Sequence, residues 1–231
     1  MAKPKIDKSR QQHSWDLVLM PDLHPGGCLN RHISEYAQGN TCSHRWQAFE
    51  KAIASRRYLW PAGEKGPRKG ASWSISRTGD NFKKSSGKPF GHEAHHVVPN
   101  SELRNAIGDM ANENPEAFII TLLIRMGLLD EKYNLNDKLN MIILPLGRRH
   151  AKVLGLPRHR ETGKWHHSAY SKHVRSRLDK IFSPMKPKVL DHNSDPPDYE
   201  DCRQQIEDIS TDLYPKILAS KATSLDKMSL K

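Results

Sequence analysis

Two short strand-compatible runs, each closed by a proline, set the frame for this 231-residue chain. The first is His95-His96-Val97-Val98-Pro99, and the second is Asn140-Met141-Ile142-Ile143-Leu144-Pro145. β-Branched and apolar residues favour extended backbone, and proline ends each run because it lacks the N–H a ladder needs. The surrounding stretches read as helix or loop. Ser43 opens a helix within 43–60, with Trp46, Phe49, Ile53 and Tyr58 as its apolar positions. Ser101 caps a second from 102 to about 111. Asn114-Pro115 opens a third, whose Phe118, Ile119, Leu122, Leu123 and Met126 recur at helical spacing, and Gly127 suits its C-cap. Residues 146–165 are basic and aperiodic. A further helix runs over 167–182 with Tyr170, Val174, Leu178 and Ile181 on one face. The order is strand, helical insertion, strand, basic loop, helix. This predicts an α+β, mostly helical fold around a small ββα core. Three regions follow: a basic, partly helical N-terminal region (1–90), the ββα region (91–182), and a proline-rich linker with an acidic C-terminal helix (183–231).

Charge narrows the class of partner. The formal net charge is +11, and ten Lys/Arg fall between 148 and 180 against only Glu161 and Asp179. Such a local excess favours a polyanion, because each neutralised phosphate releases a condensed counterion. No run approaches the roughly 20 apolar residues of a membrane span. No apolar segment follows the basic N-terminus, so a cleaved signal peptide is not expected and the chain is expected in the cytoplasm of its producer. Cys28, Cys42 and Cys202 do not make a disulfide framework.

Histidine is the residue in excess, at thirteen. Neutral imidazole is the commonest protein metal ligand and a proton acceptor near pH 7. His92, His95 and His96 form one group; His150, His159, His166 and His167 form another, with His173 close behind. Adjacent strand residues point to opposite faces, so His95 and His96 divide naturally into one ligand and one base.

The ordered set Ala94-His95-His96-Val97-Val98-Pro99, then Gly127-Leu128 through Asn136 to Asn140-Met141-Ile142-Ile143-Leu144-Pro145, then His167-Ser168-Ala169-Tyr170 with Val174 and Leu178, resembles the AHH family of nucleases. That family lies in the HNH/endonuclease VII superfamily and is common among bacterial toxin modules. The resemblance covers roughly residues 91–182. This chain departs from it in the long basic stretch before His167 and in Ser168, where such motifs often carry proline. The resemblance implies a ββα-metal core in which His95 and His167 hold one divalent ion (Mg or Zn), His96 is the general base, and Asn140 ties the loop together. It further implies DNA cleavage, with RNA as the alternative substrate, and an antibacterial toxin delivered by a route such as type VI secretion and restrained by an immunity protein. His159, His166 and His173 are further candidates for the site; His150 and His92 are weaker ones, and Glu93 is a candidate for fixing a histidine tautomer. Arg148, Arg149, Lys152, Arg158, Arg160 and Lys164 are expected to contact the nucleic-acid backbone.

Three other readings remain. Cys28, His32, Cys42 and His44 are four zinc-competent ligands, though at unusual spacings. The chain would then be a structural zinc protein. A non-catalytic nucleic-acid-binding module is the second alternative. Finally, the acidic residues of 191–208, tethered by the linker, are expected either to lie over the basic groove or to form a solvated helix.

Overall fold

Met141 to Pro145 is apolar throughout, so a strand made from it must be covered on both faces. A computed structural model shows how; it describes residues 27–29, 43–59, 61, 63–64, 86–88, 90–112, 114–161, 166–190 and 195–230. The described elements in chain order are α1 (His44–Ile53), β1 (His92–His96), α2 (Asn100–Ala111), α3 (Ala117–Asp130), β2 (Met141–Pro145), α4 (Arg148–Leu154), α5 (Ser168–Phe182), α6 (Met185–Leu190) and α7 (Tyr199–Ala219). The fold is α+β and mostly helical, with a two-stranded antiparallel sheet in register His95↔Ile142 and His96↔Met141.

The two-stranded sheet separates two apolar clusters. Met141 and Ile143 of β2 pack with Ala94, Phe90 and the α1 residues Ala48, Phe49 and Ala52. Ile142 and Leu144 face the larger cluster, built from α2, α3, α5, α6 and α7. Period-two alternation therefore sends His92, Ala94 and His96 towards α1, and Glu93 and His95 towards α5. Two hydrogen bonds tie the sheet and its exit at Val97 to these neighbours. Tyr58 donates its hydroxyl to the Ile143 carbonyl at 2.8 Å, and Tyr170 donates to the Val97 carbonyl at 2.6 Å.

Several boundaries depart from the sequence expectation. The first strand spans His92–His96, and Val97 and Val98 form a buried bend behind it. α2 begins at Asn100 with Pro99 in the cap position, rather than Ser101. α3 runs through Gly127 to Asp130. Gly127 is there for packing: a Cβ at this position would lie 2.3–2.4 Å from three carbons of the Tyr199 ring, far inside contact distance. The supposedly aperiodic basic loop contains α4, whose Ala151 and Leu154 are buried and whose C-cap Gly155 takes the left-handed conformation at φ 62°.

The C-terminal region is also corrected. The stretch expected as a linker carries α6, and Met185 and Val189 enter the main core. α7 is no loose acidic helix. Its Cys202, Ile206, Ile209, Leu213 and Ile217 form an apolar stripe buried against the same core as Ile124 and Val174. Their spacing of three or four residues is the signal that the acidic count obscured. Among the described residues, no helix is long and apolar enough to cross a membrane.

Candidate active site

Three elements deliver three imidazoles to one place. His95 comes from the α5-facing side of β1. His159 comes from the segment after α4, held by its own N–H donating to the Pro145 carbonyl at 3.0 Å. His167 occupies the N-cap position of α5. Their ligand-capable atoms all lie within 4.8 Å of one another. His159 Nε2 and His95 Nδ1 are 3.2 Å apart, and the His167 ring stands edge-on to His95 at 4.8 Å between centroids. Tyr170, one turn into α5, packs edge-on against both His95 and His167 at 5.6 Å. Its hydroxyl bond to Val97 therefore fixes the helix that presents His167 against the strand that presents His95.

The chemistry of this donor set fits a cation. Burial pushes His167 below its ordinary histidine pKa, although Asp226 opposes the shift. A neutral imidazole near pH 7 keeps its lone pair for a metal. Imidazole donors suit borderline ions such as Zn²⁺ better than Mg²⁺, which prefers oxygen.

His96 is turned to the other face. Its Nε2 lies 2.9 Å from Asn136 Oδ1, and its ring stacks on His44 at 5.4 Å. The Asn136 amide nitrogen is directed at Cys28 Sγ, 3.8 Å away. With the amide in that orientation, Nε2 carries the proton and Nδ1 of the neutral ring is the basic nitrogen. Asn140 stands behind this arrangement. Its Oδ1 accepts from the Val98 N–H at 2.6 Å and from the Ser210 hydroxyl at 2.8 Å, while its Nδ2 donates to the Leu135 and Val98 carbonyls at 2.9 and 3.2 Å. One buried amide thus joins the exit of β1, the entry of β2 and the middle of α7.

His95, His96, His159 and His167 all line a cavity of 710 Å³. His166 and Glu93 line it too, together with Arg104, Arg160, Ser168, Ser171, Lys172 and Arg175. Arg175 is held in ion pairs to Asp109 and Asp179 at 2.6 Å each. Arg104 and Lys172 are exposed at the cavity wall. Sequence reasoning did not single out these two. The spacing of His167, Ser171 and Arg175 by four residues was the available signal for a cavity-facing stripe on α5.

The other sequence candidates fall elsewhere. His173 lies by α7, with Arg177, Lys216 and Asp212 as its neighbouring charges. His150 stacks on Phe90 at 5.0 Å. Of the described basic residues between β2 and α5, only Arg160 lines the histidine cavity. Arg148, Lys152 and Arg158 line a separate one of 790 Å³. Arg158 is 4 % exposed and donates Nε to the Thr223 carbonyl at 3.2 Å, so it serves the fold. Arg149 is exposed on α4, and Lys164 lies outside the described residues. Of the four upstream zinc candidates, His32 and Cys42 also lie outside them; Cys28 and His44 both border the His96–Asn136 pair.

Comparison with protein families matched residues 78–207 to AHH, a nuclease family of the HNH/ENDO VII superfamily with conserved AHH. The chain belongs to this family. Its AHH triplet is Ala94-His95-His96, on β1, and the match extends over α7 as far as Glu207. Comparison with curated proteins and with solved structures found no match. Membership in AHH makes the chain a nuclease at the level of the family and nucleic acid its class of substrate.

Proposed function

We propose that this AHH protein is an endonuclease that hydrolyses DNA with the help of one divalent ion. The observation that carries the reading is the convergence of His95, His159 and His167 within 4.8 Å of one another, beside His96 and on the wall of a basic cavity. His95 and His167 are the ligands expected from the sequence, and His159 joins them as the third. When bound, the ion would stabilise negative charge building on the phosphate and the leaving oxygen. Zn²⁺ or a similar borderline ion is the preferred occupant.

The chain's own residues supply the rest. His96 Nδ1 accepts the proton of the attacking water, while Asn136 holds Nε2–H and so fixes the tautomer. Asn140 positions the backbone immediately after His96 through Val98. Arg104, Arg160 and Lys172 hold the phosphates flanking the scissile bond. Contacts of that kind carry no sequence information, so cleavage should be weakly sequence-specific.

Plasmid incubated with the purified protein tests this reading. Nicking should stop in EDTA and return with added Zn²⁺ or another divalent ion. His96→Ala should lower the rate by about 10²- to 10⁴-fold with metal binding retained. His95→Ala, His159→Ala and His167→Ala should lose metal affinity and activity together. Nicking that persists in EDTA would overturn the metal requirement, and cleavage of RNA in place of plasmid would reassign the substrate. The toxin role, with delivery into target cells and an immunity partner in the producer, belongs to the same proposal. Cytoplasmic expression in a bacterium should arrest growth with the wild type and not with His96→Ala.

A further inference from the structure

The family match stops at residue 207, yet two of the three clustered histidines are held from beyond it. The Arg158 N–H donates to the Thr223 carbonyl at 3.2 Å, and the Leu225 N–H donates back to the Arg158 carbonyl at 3.0 Å. This is one rung of parallel pairing, with Arg158 and Ser224 as the bridge partners. His159 is the next residue along. One residue beyond Leu225, Asp226 Oδ1 accepts from the Ala169 N–H at 2.7 Å. Ala169 lies in the first turn of α5, directly after His167 and Ser168. His167 occupies the N-cap position, but its side chain makes no cap hydrogen bond there. Asp226 therefore does the work of an N-cap from a distant part of the chain. Leu225 anchors the turn, fully buried in the same cluster as Tyr170.

We propose that the C-terminal turn Thr223–Asp226 is a clasp that sets His159 and His167 against His95, with Asp226 as its principal positioning residue. The inference rests on the reading that these three histidines hold a metal ion. Among the described residues, 156–161 form no helix, and beside this rung the backbone of His159 is tied by its N–H to the Pro145 carbonyl. An imidazole on such a segment costs conformational entropy to order at each binding event, unless something has ordered it beforehand. The clasp supplies that order to His159 through Arg158 and to His167 through the first turn of α5. Metal affinity in this protein should consequently depend on residues that lie beyond the stretch matched to the family.

Co²⁺ titration of the full chain, followed by its visible absorption, tests the clasp. Asp226→Ala should weaken Co²⁺ binding by roughly 3- to 10-fold, the size of a lost cap. Asp226→Asn, which keeps the acceptor oxygen and drops the charge, should stay within about 2-fold of wild type. Asp198→Ala is the control. It removes the cap of α7, where Asp198 accepts from the Asp201 N–H at 2.9 Å, and it should lower stability without moving Co²⁺ affinity. Asp226→Ala binding as tightly as wild type would overturn the clasp and leave the metal reading intact. Asp198→Ala weakening binding as much as Asp226→Ala would also overturn it, because the effect would then be global stability. Asp226→Asn as weak as Asp226→Ala would assign the effect to charge and overturn positioning through the hydrogen bond. A wild-type chain that binds no Co²⁺ would sink the metal reading, and the clasp with it.

Discussion

Asn140→Ala should be among the most damaging single changes in this protein. The Asn140 side chain makes four hydrogen bonds while only 4 % exposed. A typical intramolecular hydrogen bond contributes about 1 kcal/mol net, so removing four predicts a loss of roughly 4 kcal/mol. Alanine also strands a buried N–H and two buried carbonyls in an apolar setting, which pushes the figure upward. Against a usual total stability of about 5–15 kcal/mol, that is a large share.

The amide's two ends allow a sharper test. Its oxygen meets two donors and its nitrogen meets two acceptors, so only one orientation of the amide is satisfied. Asn140→Asp keeps the first pair of bonds but turns a carboxylate oxygen towards the Leu135 and Val98 carbonyls. Burial and these carbonyls should raise the new carboxyl's pKa above its unfolded value. A raised folded pKa gives stability that is present at low pH and lost as pH rises through it. Asn140→Asp should therefore be clearly destabilised at pH 7 and recover part of the loss as pH falls towards 4. Ser210→Ala removes a single bond and should cost about 1 kcal/mol. Urea unfolding, followed by tryptophan fluorescence at pH 7 and pH 5, measures all three variants. An Asn140→Ala loss below about 1 kcal/mol, or an Asn140→Asp variant as stable as wild type at pH 7, would mean that these four bonds do not hold the core in this way.

Three further changes follow from the same packing. His92 is fully buried, and burial lowers its pKa from 6.5 to about 4, offset in part by its bond to the Phe90 carbonyl and reinforced by Arg45 on α1. Its folded pKa lies below the unfolded one, so its stabilising contribution is present above pH 6.5 and drains away as pH falls towards 4, to an upper limit of about 3 kcal/mol. His92→Gln should flatten the urea midpoint's dependence on pH across that window, and an unchanged slope would exonerate His92. Tyr133 is 2 % exposed and its hydroxyl has no hydrogen-bond partner among the described residues, so Tyr133→Phe should be neutral or stabilising by up to about 1 kcal/mol in the same urea assay. Gly127→Ala gains about 1 kcal/mol of helix propensity but drives a methyl into the Tyr199 ring. A net loss of about 1–3 kcal/mol is expected, read as a lower melting temperature, and a rise would mean that Tyr199 has room to move aside.

Residue type and spacing alone specify the parts whose signals are local. A strand of five apolar residues ending in proline, a histidine pair on its antiparallel partner, and a helix with Tyr170, Val174 and Leu178 on one face can all be read without knowing their neighbours, because residue type and spacing dictate them. The same alternation dictates that His95 and His96 part to opposite sides. The tertiary structure decided which histidine joins His95. His159 lies 64 residues away, in a stretch with no periodicity; its N–H is bonded to the Pro145 carbonyl, and Thr223 with Leu225 bond its neighbour Arg158. It decided equally that Arg158 serves the fold while its neighbour Arg160 faces the cavity, since neighbours in sequence have the same charge but not the same surroundings. Acidic residues on α7 drew the sequence reading towards a tethered tail, yet the helix is amphipathic: its apolar stripe is buried in the core while Glu200, Asp201 and Asp208 stay exposed to solvent. Long-range contacts leave no trace in local spacing. That is why the strand–strand–helix unit was legible from the chain alone, while His159 stood there only as one of three further candidates and the turn Thr223–Asp226 gave no signal at all.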